Sequence, residues 1–232
     1  MSQKVLIRAV IVAALFSLCL AAGLLGGIEY PLDVALIRHF EAVRAGYPGL
    51  TLAAIAVTHA GSAWATIGGG LGVAAWLARR GQLWLAGVLG ATVLGERVVI
   101  DGLKLLINRT RPTFDLHPVA THSSSFPSGH AGNSMAVCLA IALIAAPRKY
   151  RLAAVVSALM TSLLVGGTRP YLGVHWPSDV VGGWSLGAGI AIIAWTIAEA
   201  RQVSSDATTA SDYSPASHDA RSEPARAQPP QQ

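Results

Sequence analysis

Three short polar segments interrupt an otherwise apolar chain, and each carries residue types suited to holding or attacking an anion. The segment 168–179 is the richest, with Arg169, His175 and Asp179. His175 and Asp179 are four apart, a spacing that turns both to one side of a helix start. A carboxylate accepting from one imidazole nitrogen fixes the tautomer and leaves the other nitrogen a better nucleophile or base. Arg169 adds a planar fork for phosphate oxygens. A His–Asp pair by itself is more often structural, but this one shares its segment with an arginine.

The segment 123–130 ends Pro127-Ser128-Gly129-His130 and leads straight into an apolar run, so it reads as a helix start. Ser128 and Gly129 can offer a hydroxyl and unhindered amides at the positive end of a helix dipole, a natural place for phosphate oxygens. Taken alone, the stretch fits an ordinary cap as well as an anion site. His130 adds a titratable group suited to protonating a leaving oxygen near neutral pH.

The remaining segment holds Lys104 and Arg111, seven apart, with Pro112 behind them. On a helix that is nearly two turns, so both cations are expected on one face until the proline ends it. Arg97, Asp101 and Lys104 recur on the same face of an apolar span, where ionisable groups need partners. Mutual pairing is expected of Arg97 and Asp101, while Lys104, at the outer end, is better placed to touch a substrate. Glu96 has no assigned role.

The elements that must position these clusters are membrane helices. Hydrophobic residues make up 53% of the chain and charged ones only 12%, far from the balance of a soluble domain. Apolar runs near 9–28, 50–77, 83–107, 131–146, 152–167 and 180–198 predict an all-α polytopic bundle of about six transmembrane helices, the fourth and fifth short. The N-terminal run is long enough to span and is read as a helix rather than a cleaved signal. Cys19 and Cys138 lie in apolar segments and read as packing residues. The Gly68–Gly70 run lacks a phosphate-loop context and reads as helix packing.

Lysine and arginine gather at Lys4 and Arg8, Arg79 and Arg80, Arg148 to Arg151, and Arg201. That places both termini in the cytoplasm and the polar clusters at the outer membrane–water interface. Arg111 and Arg169 sit on that outer side against the charge rule, as anion-binding residues would. The segment 29–49 is outer as well and has the composition of an amphipathic interfacial helix that gates lipid entry. The net charge of +5 comes without a basic patch interleaved with aromatics, so nucleic acid is not an expected partner. Residues 1–200 read as the membrane domain and 201–232 as a disordered cytoplasmic tail, too poor in apolar side chains to fold.

Together the three clusters resemble the signature of the type 2 phosphatidic acid phosphatase superfamily: Lys-x6-Arg-Pro at 104–112, Pro-Ser-Gly-His at 127–130, and Ser-Arg-x5-His-x3-Asp at 168–179, with Thr168 in place of the serine. The resemblance implies a cofactor-free, metal-independent hydrolysis of a membrane lipid phosphate or diphosphate through a phosphohistidine. It implies His175 as nucleophile, Asp179 orienting it, and His130 protonating the leaving oxygen. Lys104, Arg111, Ser128, Gly129 and Arg169 would hold the phosphate. The expected substrate is undecaprenyl diphosphate first, with phosphatidylglycerophosphate, phosphatidic acid or lipid A phosphates as alternatives, in a bacterial cytoplasmic membrane with the site facing outward.

Three other readings fit parts of this pattern. A metal hydrolase built from His117, His122, His130, His175 and Asp179 lacks a ligand pair at helical spacing and surrounds the cation with arginines. A serine hydrolase using Ser128 lacks the Gly-x-Ser-x-Gly elbow and has no use for the three cations. A non-enzymatic anion transporter or lipid-phosphate binder would use the arginines but has no need of the His175–Asp179 pair.

Overall fold

The computed structural model describes residues 3–114, 118–119 and 123–212. They form eight α-helices: α1 (Gln3–Leu25), α2 (Pro31–Gly46), α3 (Pro48–Thr58), α4 (Ala63–Arg79), α5 (Leu83–Ile107), α6 (Gly129–Ile144), α7 (Arg151–Tyr171) and α8 (Pro177–Asp212). No strand occurs among the described residues. Helices α2, α3 and α8 open on proline, whose fixed φ suits the first helical position and whose missing N–H costs nothing there.

Among the described residues, α1, α5, the α7 segment Arg148–Tyr171 and the α8 segment Pro177–Arg201 are each long and apolar enough to cross a membrane. The α3–α4 pair, bent by 43°, passes the same test when the two helices are taken together, which brings the count to five if the pair is one span. The remaining apolar segment, α6, has only 16 residues, but it lies inside the bundle, with 12 of them buried. It packs against α4, α5 and α7. Lipid-facing apolar side chains, such as Leu105 and Leu106 at 83% and 82% exposure, lie on the outside of α5.

Two expectations change. The single span at 50–77 is two helices, broken by a 3-10 turn at His59–Gly61. Gly61 sits where a Cβ would lie 2.3 Å from Val165 and 3.0 Å from the His130 carbonyl, and Ser62 then restarts the helix by accepting from the Ala65 amide. The break brings Thr58 to the site end of the bundle. The tail expected to be disordered from 201 begins as helix, since α8 runs to Asp212; residues 213–232 lie outside the described residues.

Helices α6 and α8 meet through glycine. A Cβ on Gly187 would stand 2.5 Å from the Gly132 carbonyl oxygen and 2.9 Å from the Ala136 amide nitrogen. Both are backbone atoms that cannot turn aside, so this is a small-residue helix contact of the kind membrane bundles use. Gly187→Ala is expected to destabilise the protein by about 1–3 kcal/mol, read as an earlier thermal unfolding midpoint in detergent. An unchanged midpoint would mean that α8 shifts freely on α6.

Candidate active site

Five chain segments deliver the three clusters to one end of the bundle: the C-termini of α5 and α7, the N-termini of α6 and α8, and the α5–α6 loop. The basic cluster Arg79–Arg80 closes α4 in the turn before α5, and Arg148–Arg151 leads into α7, so both lie by the ends of α5 and α7 remote from the three clusters.

Arg111 does not continue the α5 face as expected. Asn108 takes the left-handed conformation (φ 44°) and its amide returns to the Lys104 carbonyl at 3.1 Å, which closes α5 three residues before Arg111. The two cations meet instead on one carbonyl. Lys104 Nζ donates to Ser124 O at 2.7 Å and Arg111 Nη2 donates to it at 3.4 Å. Lys104 is therefore free of the Arg97–Asp101 ion pair, which closes by itself at 2.9 Å on a half-exposed face. Glu96 is buried, and Asn133, with its amide nitrogen turned toward it, donates to Glu96 Oε2 at 3.2 Å and to Gly129 O at 2.8 Å.

Helix α7 extends further than expected and carries Thr168, Arg169 and Pro170 in its last turns, where a proline removes little of the amide ladder. Arg169 is 4% exposed; its Nη1 donates to Thr58 Oγ1 at 2.8 Å, while its Nε is buried with no partner. The Thr168 hydroxyl donates back to Val165 O at 2.6 Å, so the replacement of serine at this position is absorbed within the helix.

Ser128 is the N-cap of α6, yet its side chain makes no capping bond and its buried Oγ has no partner. Its own amide donates to the Asp179 carbonyl at 3.0 Å, which ties the start of α6 to the first turn of α8. A capping hydroxyl not spent on its helix, followed by Gly129 and His130, leaves the N-terminal dipole of α6 open to an anion. No histidine hydrogen-bonds Ser128 among the described residues, which gives the serine-nucleophile reading no geometry. His117 and His122, two members of the metal reading, lie outside the described residues.

His175 and Asp179 meet as their spacing predicts, with Nδ1 3.4 Å from Asp179 Oδ2. Both are buried. Asp179 reaches back from the third position of α8 to accept from the Trp176 amide at 2.8 Å, the acidic half of a capping box, and also accepts from Ser125 Oγ. With Nδ1 turned to the carboxylate, Nε2 keeps its lone pair and faces Arg111 Nη1 at 3.2 Å. Arg111 is anchored on both sides of that nitrogen, donating to Val174 O and, through Nε, to Ser123 O at 2.8 Å.

Burial first, and then the Arg111, Arg169 and Lys104 cations, hold the His175 imidazole well below its ordinary value of 6.5. Depression means that the neutral, nucleophilic form persists as pH falls. The acid limb that His175 imposes on kcat/KM is therefore expected below pH 6.5, and a pH–rate profile checks it; a limb above that value would contradict this environment.

Sequence spacing missed Arg109, Asp33, Ser125 and Thr58. Arg109 Nη1 donates to Asp179 Oδ1 at 2.8 Å. The available signal was physical: a buried carboxylate needs a cation, and Arg109 is a third basic residue in the segment that supplies Lys104 and Arg111.

The family described as the PAP2 superfamily matches residues 82–202, slightly more than half of the chain. The chain is 40% identical over 108 residues to phosphatidylglycerophosphatase B of Bacillus subtilis (strain 168), covering 44% of this chain and 52% of that protein. It is 37% identical over 107 residues to an undecaprenyl-diphosphatase of Sulfolobus acidocaldarius, covering 44% and 48%. It is 32% identical over 179 residues to a decaprenylphosphoryl-5-phosphoribose phosphatase of Mycobacterium tuberculosis, covering 73% and 93%. The first of these curated relatives are matched over about half of their length. The crystal structure of a transmembrane PAP2-type phosphatidylglycerolphosphate phosphatase from Bacillus subtilis is similar with a TM-score of 0.75 and 27% identity, covering 82% of this chain and 96% of that one.

Proposed function

This chain belongs to the PAP2 superfamily, and from that premise we propose that it is a metal-independent phosphatase of membrane lipid phosphates, with undecaprenyl diphosphate as its first substrate. The observation that carries the reading is the His175–Asp179 pair with Nε2 facing Arg111 at 3.2 Å, beside the unspent hydroxyl of Ser128 and the unpartnered Nε of Arg169. A protein that merely holds phosphate needs the cations and the helix start; an oriented nucleophile at their centre is what turnover adds.

In the proposed reaction Nε2 of His175 forms a bond to phosphorus as the bond to the leaving oxygen breaks. His130 gives that oxygen a proton, so a lipid alcohol departs neutral and a lipid monophosphate departs with one negative charge fewer. Water then attacks the phosphohistidine, His130 takes its proton, and inorganic phosphate leaves with His175 restored. Lys104, Arg111, Arg169, Ser128 and the α6 amides hold the oxygens on which charge is spread, and such fixed charges and dipoles supply most of the acceleration in phosphoryl transfer. The basic ends of the helices lie away from the site, which supports an outward-facing site with cytoplasmic termini.

The substrate choice rests on names. Relatives are called undecaprenyl-diphosphatase and decaprenylphosphoryl-5-phosphoribose phosphatase, both acting on polyprenyl lipids, and others phosphatidylglycerophosphatase B and lipid A 1-phosphatase. The test is phosphate release in detergent with EDTA from undecaprenyl diphosphate, phosphatidylglycerophosphate, phosphatidic acid and lipid A. Release is expected in EDTA, fastest from the polyprenyl diphosphate. A glycerolipid ranking first would replace the substrate, loss of activity in EDTA would restore the metal reading, and no release from any lipid would favour binding or transport.

A further inference from the structure

Arg109 lies at the junction of three elements. Its Nη1 donates to Asp179 Oδ1 at 2.8 Å and to Ser178 Oγ at 3.1 Å, its Nη2 donates to the Ala22 and Gly23 carbonyls at the end of α1, and its guanidinium stacks 4.7 Å from the centre of the Phe126 ring. Gly23 O is among the carbonyls an α-helix leaves unpaired at its C-terminus, Ala22 O also accepts from the Gly26 amide at 3.2 Å, and the dipole there favours a cation. One arginine, its side chain 9% exposed, thus joins the end of α1 to the carboxylate paired with His175.

A second buried carboxylate extends the chain of contacts. Asp33 of α2, 1% exposed, accepts from the Ser178 amide at 2.9 Å through Oδ1 and from the Ser178 hydroxyl and the Gly27 amide (2.6 Å) through Oδ2. The N-cap position of α8 is Trp176, which has no side-chain oxygen to offer, so α2 supplies the missing cap from outside the helix. The contacts therefore run unbroken from Asp33 through Ser178 and Arg109 to Asp179 and His175.

We propose that Arg109 and Asp33 are positioning residues of the reaction: Arg109 holds Oδ1 of Asp179 so that Oδ2 faces His175, and Asp33 holds Ser178 and the first turn of α8 so that Arg109 has a fixed partner. The inference rests on the reading of His175 as the nucleophile. It makes α2 part of the machinery that aims that nucleophile.

The experiment compares kcat, KM and the pH profile of the wild type with R109Q, R109K and D33N, each purified folded in detergent. R109Q is expected to lower kcat by about 10- to 100-fold, the usual cost of a lost outer partner, with KM within about threefold. Its acid limb is expected to move to higher pH. Removing a cation eases proton binding to the His175–Asp179 pair whichever group takes the proton, and the active pair is the unprotonated one. R109K keeps the charge without the fork, so its limb is expected near the wild-type pH with kcat still reduced. D33N retains one acceptor and is expected to lose less kcat than R109Q.

A folded R109Q with wild-type kcat overturns the proposal, as does a loss of kcat with an unmoved acid limb, which a merely structural role would give. Where R109Q does not fold, wild-type kcat in both R109K and D33N overturns it. The titration of His175 followed by 15N NMR reads the same coupling without turnover and is expected at higher pH in R109Q. An unmoved titration overturns the relay even if the wild type releases no phosphate, an outcome that by itself would sink the phosphatase reading instead.

Discussion

His175→Ala is expected to reduce lipid-phosphate hydrolysis by about 10⁴-fold or more, the scale on which removal of an enzyme's nucleophile acts. Among the described residues the His175 side chain meets Asp179, Arg111 and the Ser125 backbone, and Asp179 and Arg111 each keep other bonds when it is gone. Asp179 remains bound to Arg109, Ser125 and Trp176, so the first turn of α8 retains its cap. The variant should therefore fold and, with its cations intact, still bind the lipid headgroup. The informative pair of measurements is phosphate release and protection by inorganic phosphate: release should vanish while phosphate protection of the folded protein against heat persists. Release within about tenfold of the wild type would remove His175 from the nucleophile's role, since the oxyanion-type contacts alone sustain only the residual fraction of such a reaction.

The order of the clusters and the apolar runs between them were legible because both are local. A run long enough to span and a lysine or arginine at its end need no knowledge of the neighbouring helices, and the His175–Asp179 contact lies within one helical turn. The Lys104–Arg111 relation departs from expectation for an instructive reason. The helical-face argument assumes that the helix continues, and the left-handed Asn108 ends it. The two cations still converge, but on the Ser124 carbonyl of the returning loop rather than along a face.

What spacing could not reach were contacts between distant segments. Arg109 and Asp179 are 70 residues apart, Asp33 and Ser178 are 145 apart, and Thr58 and Arg169 are 111 apart. Each joins two elements whose adjacency follows only from the packing of the whole bundle. The segment 29–49 shows the difference most clearly. Its composition predicted an amphipathic helix and the segment does hold the helix α2, but composition gave no sign that its buried Asp33 would cap α8. A charge with no lipid-facing or water-facing reason to be buried was the one available clue.

Arg111 should be the most sensitive of the three cations proposed to bind phosphate, with Arg111→Ala expected to lower kcat/KM by about 10³-fold, or about 4 kcal/mol of transition-state stabilisation. Lys104 spends its ammonium on one carbonyl and Arg169 is braced by Thr58, whereas Arg111 bridges Ser123, Ser124 and Val174 and stands beside Nε2 of His175. Its removal takes away charge beside His175, where the proposed reaction gathers the phosphoryl oxygens, and loosens the loop on which His175 stands. Arg111→Lys separates these effects. A lysine restores the charge but cannot span three carbonyls and a ligand at once. It should therefore recover about tenfold or less of the loss, mostly in KM, while kcat stays low because His175 is no longer held against the site. Full recovery by lysine would show that charge alone matters at this position, and that the loop carrying His175 is fixed from the Asp179 side.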